Sequence, residues 1–208
     1  VGEAGEVGLI VDIGGGTSDF TVFRQGEDGS HDVLANHGVR IGGTDFDHLI
    51  SFAEVMPLLG KGSDLRREFG PGTTPVPNNI FHDLATWEKI PFLYTAQTRR
   101  MVSDMAKLAA APDRIGRLET VLTDELGHDL AFAVEAGKVA ANASSDGGVI
   151  DLSIVEKRLS TPLTRGGIDT ILGSQAELLK AGAEDTLNQA GVTTGQIDQV
   201  IYVGGSSL

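Results

Sequence analysis

The segment Asp12-Ile13-Gly14-Gly15-Gly16-Thr17-Ser18-Asp19 sets three consecutive glycines between two short apolar runs. Residues 8–13 read as a buried strand, and residues 19–24, with Phe20 and Val22 alternating, read as a second. Glycine lacks a Cβ, so the triplet can turn sharply and bring its N–H groups close to an anion. Thr17 adds a hydroxyl, and Asp12 and Asp19 place a carboxylate on each side. Bare carboxylates repel a phosphate, so an anion site here needs a cation, most naturally Mg²⁺ with its waters. On the residues alone, a glycine-rich hairpin with two polar ends is the competing reading. Two other glycine motifs are excluded. The dinucleotide fingerprint needs a glycine where Asp19 stands and a helix where a strand follows. The P-loop needs Gly-Lys-Ser/Thr, which occurs nowhere in the chain.

Downstream, residues 31–37 read as a third strand that Val39 to Ile41 could extend. Gly42-Gly43-Thr44-Asp45 looks like a helix start capped by Thr44 or Asp45, with Phe46, Leu49, Ile50 and Ala53 as its apolar face. Residues 60–79 lose all periodicity and read as a loop. Helical signals return over 81–111, and Pro112 opens a long helix in which Leu118, Leu122, Leu126 and Leu130 recur at i+4, continuing towards Ser144. Residues 149–154 read as a strand, 164–190 as a second long helix stopped by Gly191, and 197–203 as a last strand running into Gly204-Gly205. The expected class is α/β: a sheet-based subdomain, 1–50 plus 151–208, interrupted by a mainly helical insertion, 51–150.

The 208 residues carry 16 Lys and Arg against 29 Asp and Glu, a formal charge of −13. That balance opposes nucleic acid and anionic membranes as partners, yet leaves backbone N–H groups free to hold a small phosphate. No apolar run approaches the ~20 residues of a spanning helix. With no cysteine, disulfides and thiol chemistry are excluded, and the expected compartment is the reducing cytoplasm. The start is acidic, without a basic leader or an initiator Met, so the chain is expected to be a piece of a longer protein. His31, His37, His48, His82 and His128 lie far apart without metal spacing. Trp87, Phe92 and Tyr94 are expected in the core of the insertion.

Asp12-Ile-Gly-Gly-Gly-Thr-Ser-Asp19, then Ile41-Gly-Gly-Thr-Asp-Phe-Asp47, then Val200-Ile-Tyr-Val-Gly-Gly-Ser206 follow one another as in the DnaK-type heat-shock chaperones. These belong to the actin-like (ribonuclease H-like) ATPase superfamily. The first segment resembles the family's second phosphate motif and the last its adenosine motif, so the chain is similar to the second lobe of the ATPase domain. The middle region is more similar to the divergent YegD-type members. The resemblance implies ATP or ADP with Mg²⁺ as ligands. Gly14, Gly15, Gly16 and Thr17 would contact the β- and γ-phosphates, Gly43 would approach the γ-phosphate, and Asp12 and Asp19 would orient Mg²⁺-bound waters. With Thr17 these two would form the catalytic set. Glu135, Lys138 and Asn142 match the ribose-binding helix, and Gly204 and Gly205 the adenine-side turn. The implied partners are the first lobe of the same ATPase and, in the parent, unfolded polypeptide or a co-chaperone.

Some positions depart from the family. Val139 stands where it has an arginine, Ser207-Leu208 replace a Thr-Arg pair, and Thr44 replaces a glutamate. Without the resemblance, Asp45 and Asp47 read as helix-capping carboxylates and Glu135–Lys138 as an ordinary i,i+3 surface pair. Two other functions stay open: a non-catalytic nucleotide-sensing module, and a small-substrate kinase or phosphatase of the same superfamily.

Overall fold

The computed structural model describes residues 3–205. The chain is mixed α/β and divides into two compact units, Val1–Phe46 with Leu172–Leu208, and Asp47–Ile171. Among the described residues no helix is long and apolar enough to cross a membrane.

The first unit is built on a four-stranded sheet. Strands β1 (Val7–Ile13), β2 (Ser18–Gln25) and β3 (His31–Val39) form an antiparallel meander. The carboxy-terminal strand of this sheet, Gln199–Val203, lies parallel to β1 on its other side. Alternation along β1 and β2 turns Val7, Leu9, Val11, Phe20 and Val22 to one face, where Leu187 and Val192 complete a core. Leu187 belongs to a 26-residue helix, Arg165–Ala190, that ends as expected at Gly191, whose φ of 66° is the left-handed conformation glycine tolerates best. Within that helix Gly182 faces Phe20 and Val39, so the absence of a side chain permits the close approach.

The second unit is mostly helical. Helix α1 (Gly43–Ile50) runs into a π-turn, Ser51–Val55, and a 3₁₀ turn, Met56–Leu59, closed by Gly60 at φ 107°. A short hairpin of β4 (Asp64–Arg66) and β5 (Thr73–Pro75) then occupies the stretch expected to be a loop. The helical region 81–111 is three pieces: α2 (Asn79–Leu84), a 3₁₀ segment Trp87–Leu93 containing Pro91, and α3 (Ala96–Leu108). The long helix expected after Pro112 is two, α4 (Pro112–Thr123) and α5 (Gly127–Ala143). Glu125, at φ 58°, makes the break, and Leu118, Leu122 and Leu130 are nonetheless all buried. Strands β6 (Gly148–Asp151) and β7 (Ser160–Leu163) form a hairpin of which only the first was expected. The helix already described becomes α6 and the last strand β8 in chain order.

Trp87 and Phe92 depart from expectation: they are 41% and 77% exposed. The Trp87 ring instead packs edge-on against His128 and Phe132. His48 and His82 come together with ring centroids 4.7 Å apart beside Phe52.

Candidate functional site

The residues expected to hold the phosphates lie on the first unit. Asp12 and Asp19 are directly opposed across the β1–β2 ladder, so their carboxylates leave the same face of the sheet. Opposed like charges destabilise a ladder unless a cation or water screens them. Glycines beside them leave room for the carboxylate oxygens. Asp19 pairs with Gly38 on β3, and a Cβ at Gly38 would stand 2.7 Å from Asp19 Oδ1. A Cβ at Gly204 would stand 2.5 Å from Asp12 Oδ1, and Gly204 holds a φ of 90°. Two facing carboxylates are of the oxygen-ligand type that suits a hydrated hard cation held through water. Among the described residues no group of three or more such side chains could hold a metal directly.

The turn between them is closed by the Gly14 N–H donating to Thr17 O at 2.9 Å. Its outer carbonyls are spent on helix α1. The Gly43 N–H donates to Gly14 O at 2.9 Å, and the Thr44 N–H and hydroxyl both donate to Gly15 O at 2.8 Å. Among the described residues, the N–H groups of Gly15, Gly16 and Thr17 donate to nothing, and all three residues are exposed. Three unspent donors on an exposed glycine turn are groups that an anion could use. Gly43, expected to approach a phosphate, has its N–H already committed to Gly14.

Helix α1 begins at Gly43, so neither Thr44 nor Asp45 is its cap. Asp45 Oδ2 reaches back to accept the Gly42 N–H at 2.9 Å, the returning half of a capping box. Asp47 does not cap the helix either: its carboxylate pairs with Lys138 Nζ at 2.7 Å.

Glu135, Lys138 and Asn142, expected at the ribose, lie together on α5 in the second unit. The core face of that helix is Leu130, Val134, Gly137 and Ala141. Glu135 and Asn142 point away from it and are exposed, with Val139 beside them. Lys138 lies at the edge of that face. Its side chain is only 17% exposed, and that of Asp47 24%. Burial holds the Asp47 carboxyl above the usual carboxylate range, against the pull of Lys138 and with a push from the Glu135 charge. The Asp47–Lys138 pair went unseen in the sequence because its partners are distant along the chain and share no local motif. Gly205 is exposed at the end of the described chain, and residues 206–208, which complete the last motif, lie outside the described residues.

An α/β chain whose first hairpin presents free N–H donors between opposed carboxylates has the makings of a phosphate-binding protein. No family model matches the chain. It is, however, 25% identical over 198 residues to chaperone protein DnaK of Elusimicrobium minutum, covering 95% of this chain and 24% of that protein. It is 28% identical over 201 residues to chaperone protein dnaK3 of Thermosynechococcus vestitus, covering 96% and 22%. It is 27% identical over 200 residues to the stromal 70 kDa heat shock-related protein of Pisum sativum, covering 96% and 21%. The resemblance to the DnaK-type chaperones therefore holds along nearly the whole chain. The chain spans about a quarter of the length of these relatives.

Proposed function

We propose that this chain is the nucleotide-binding second lobe of a DnaK-like chaperone ATPase. The observation that carries the reading is the unspent N–H groups of Gly15, Gly16 and Thr17 beside opposed Asp12 and Asp19. In this reading Gly14, Gly15, Gly16 and Thr17 hold the β- and γ-phosphates of ATP or ADP, and Gly43 approaches by its Cα side. Asp12 and Asp19 orient the waters of Mg²⁺. Bound there, Mg²⁺ would offset the charge that spreads over the phosphoryl oxygens. Glu135, Lys138 and Asn142 are assigned to the ribose, and Gly204 and Gly205 to the adenine side. The protein's contribution is positioning and electrostatics, with little covalent chemistry to perform.

The names of the relatives support a chaperone role for the parent, and unfolded polypeptide, a first lobe and a co-chaperone are the partners that the resemblance implies. By the same resemblance the first phosphate loop, a lysine and a glutamate belong to that first lobe. The 208-residue chain alone is therefore expected to turn over no ATP. Each missing charge-stabilising group typically contributes several kcal/mol to such a transition state.

Calorimetric titration of the full-length protein with ATP, with and without Mg²⁺, tests the reading. Mg²⁺-dependent binding that weakens at least tenfold in Asp12→Asn is expected. Binding indifferent to Mg²⁺ and to Asp12 would overturn it. A nucleotide-sensing module is the second reading, favoured by Val139, which is 55% exposed and offers no guanidinium. Steady ATP turnover by the full-length protein would exclude it.

A further inference from the structure

We infer that Asp47 is a positioning residue for nucleoside recognition: it fixes the Lys138 ammonium so that the Glu135–Lys138–Asn142 face of α5 reads ribose hydroxyls. The inference rests on the reading under "Proposed function" and adds a residue that no motif assigns to the nucleotide.

The geometry begins with Lys138. A lysine stem is flexible, and an ammonium that reaches a ligand from solvent loses substantial rotamer freedom on binding. Here the side chain is mostly covered and its Nζ already stands 2.7 Å from Asp47 Oδ1. Glu135 lies three residues earlier on the same helix, close enough for its charge to act on Asp47. Lys138 is thus held by one carboxylate and flanked by a second. An ammonium has three donors, and an ion pair with Asp47 leaves donors for a hydroxyl, while the exposed Glu135 can accept from a hydroxyl. One cation and one carboxylate on adjacent turns suit a vicinal diol, each of whose oxygens both donates and accepts.

The Asp47 oxygen that faces Lys138, Oδ1, is buried and, although close to Nζ, has no hydrogen bond of good direction. Asp47 acts on Lys138 through charge and proximity. A surface ion pair at i,i+3 would leave both partners mobile and solvated, whereas this pair joins α1 to α5 and is screened from water. Lys138 therefore meets a ligand with its position already set, and removing the Asp47 carboxylate restores the stem's freedom.

The test compares ATP, 2′-deoxy-ATP and 3′-deoxy-ATP by calorimetry on the full-length protein, in the wild type and in Asp47→Asn, Asp47→Glu and Lys138→Gln. The wild type should favour ATP over at least one deoxy analogue by about tenfold. Asp47→Asn should weaken ATP by about fivefold and leave that analogue nearly unchanged, so the preference falls to about twofold. Lys138→Gln should do the same, combining Asp47→Asn with Lys138→Gln should lose no more, and Asp47→Glu should recover part of the preference. Equal loss of all three nucleotides in Asp47→Asn, or an unchanged preference in a folded Asp47→Asn or Lys138→Gln, overturns the inference and leaves the phosphate-side reading standing. A wild-type protein that binds no ATP removes that reading and this inference with it.

Discussion

The hydroxyl of Thr44 donates to the carbonyl oxygen of Gly15 at 2.8 Å, the same oxygen that accepts the Thr44 N–H. The residue that replaces the family's glutamate thus ties the start of α1 to the glycine turn. Gly42 completes the junction: a Cβ there would stand 2.5 Å from Gly16 N and 2.6 Å from Gly15 C. Those atoms are backbone and cannot swing aside. Gly42→Ala is expected to destabilise the chain by about 1–3 kcal/mol through overpacking, and Thr44→Val by about 1 kcal/mol through one lost hydrogen bond. Thr44→Ser should be nearly silent. Urea denaturation of the three variants checks the ordering, and a neutral Gly42→Ala would show that the turn can move.

Two helical glycines should respond to enlargement with opposite signs. A Cβ at Gly182 would lie 3.0 Å from both Phe20 Cε2 and Val39 Cγ1, whereas one at Gly116 would meet nothing within 4 Å. Gly182→Val should therefore cost about 2 kcal/mol by forcing α6 off the sheet. Gly116→Ala, inside α4, should stabilise by about 0.5–1 kcal/mol through helix propensity and a less flexible unfolded chain. Paired thermal melts give both signs in one experiment.

Arg117 grips Glu156 with two bonds, Nε to Oε2 at 2.6 Å and Nη2 to Oε1 at 3.0 Å. These hydrogen bonds, and then the guanidinium charge, hold the Glu156 carboxyl below its ordinary value of 4.5. The unfolded chain then binds the proton more readily than the folded one. The stabilisation is complete above the ordinary value and is lost as pH falls through the lowered one. Glu156→Gln should flatten that part of the acid-side decline in melting temperature and leave the alkaline side unchanged. Asp47, pushed up by burial, runs in the opposite sense: its share is present below the ordinary value and fades as pH rises through the raised one.

What could be read in advance follows from where the signals sit. The β1–turn–β2 hairpin was legible because period-two alternation and consecutive glycines are local, and α6 because its end is marked by Gly191. The break at Glu125 was not, since the leucine spacing runs across it and the residue in the left-handed conformation is not a glycine. The β4–β5 hairpin has three-residue strands, too short for a period to show. Asp47 and Lys138, and likewise His48 and His82, meet only because separate helices pack together. Nothing within one segment encodes such a pair. The exposure of Trp87 and Phe92 escaped for a related reason: hydrophobicity indicates a core but not which side of a 3₁₀ segment faces it.

Val139 gives the last prediction. It is exposed on α5 next to Glu135 and Asn142, at the position where the DnaK-type pattern carries an arginine. A guanidinium stacked on a nucleobase contributes on the order of 1 kcal/mol, more where water is excluded. A valine can pack on a base but offers neither charge nor a directional donor. The full-length protein is therefore expected to bind ATP weakly and to separate it from GTP by less than about fivefold, since ~1.4 kcal/mol is a factor of ten. Installing the guanidinium should reverse the weakness. Val139→Arg is expected to tighten both nucleotides by about three- to tenfold, because a purine face is common to both, while Val139→Leu leaves them unchanged. Isothermal titration of the wild type and both variants with ATP and GTP decides the matter. Submicromolar wild-type affinity for ATP with strong rejection of GTP, or a Val139→Arg variant no tighter than wild type, would show that base recognition lies elsewhere than on this face of α5.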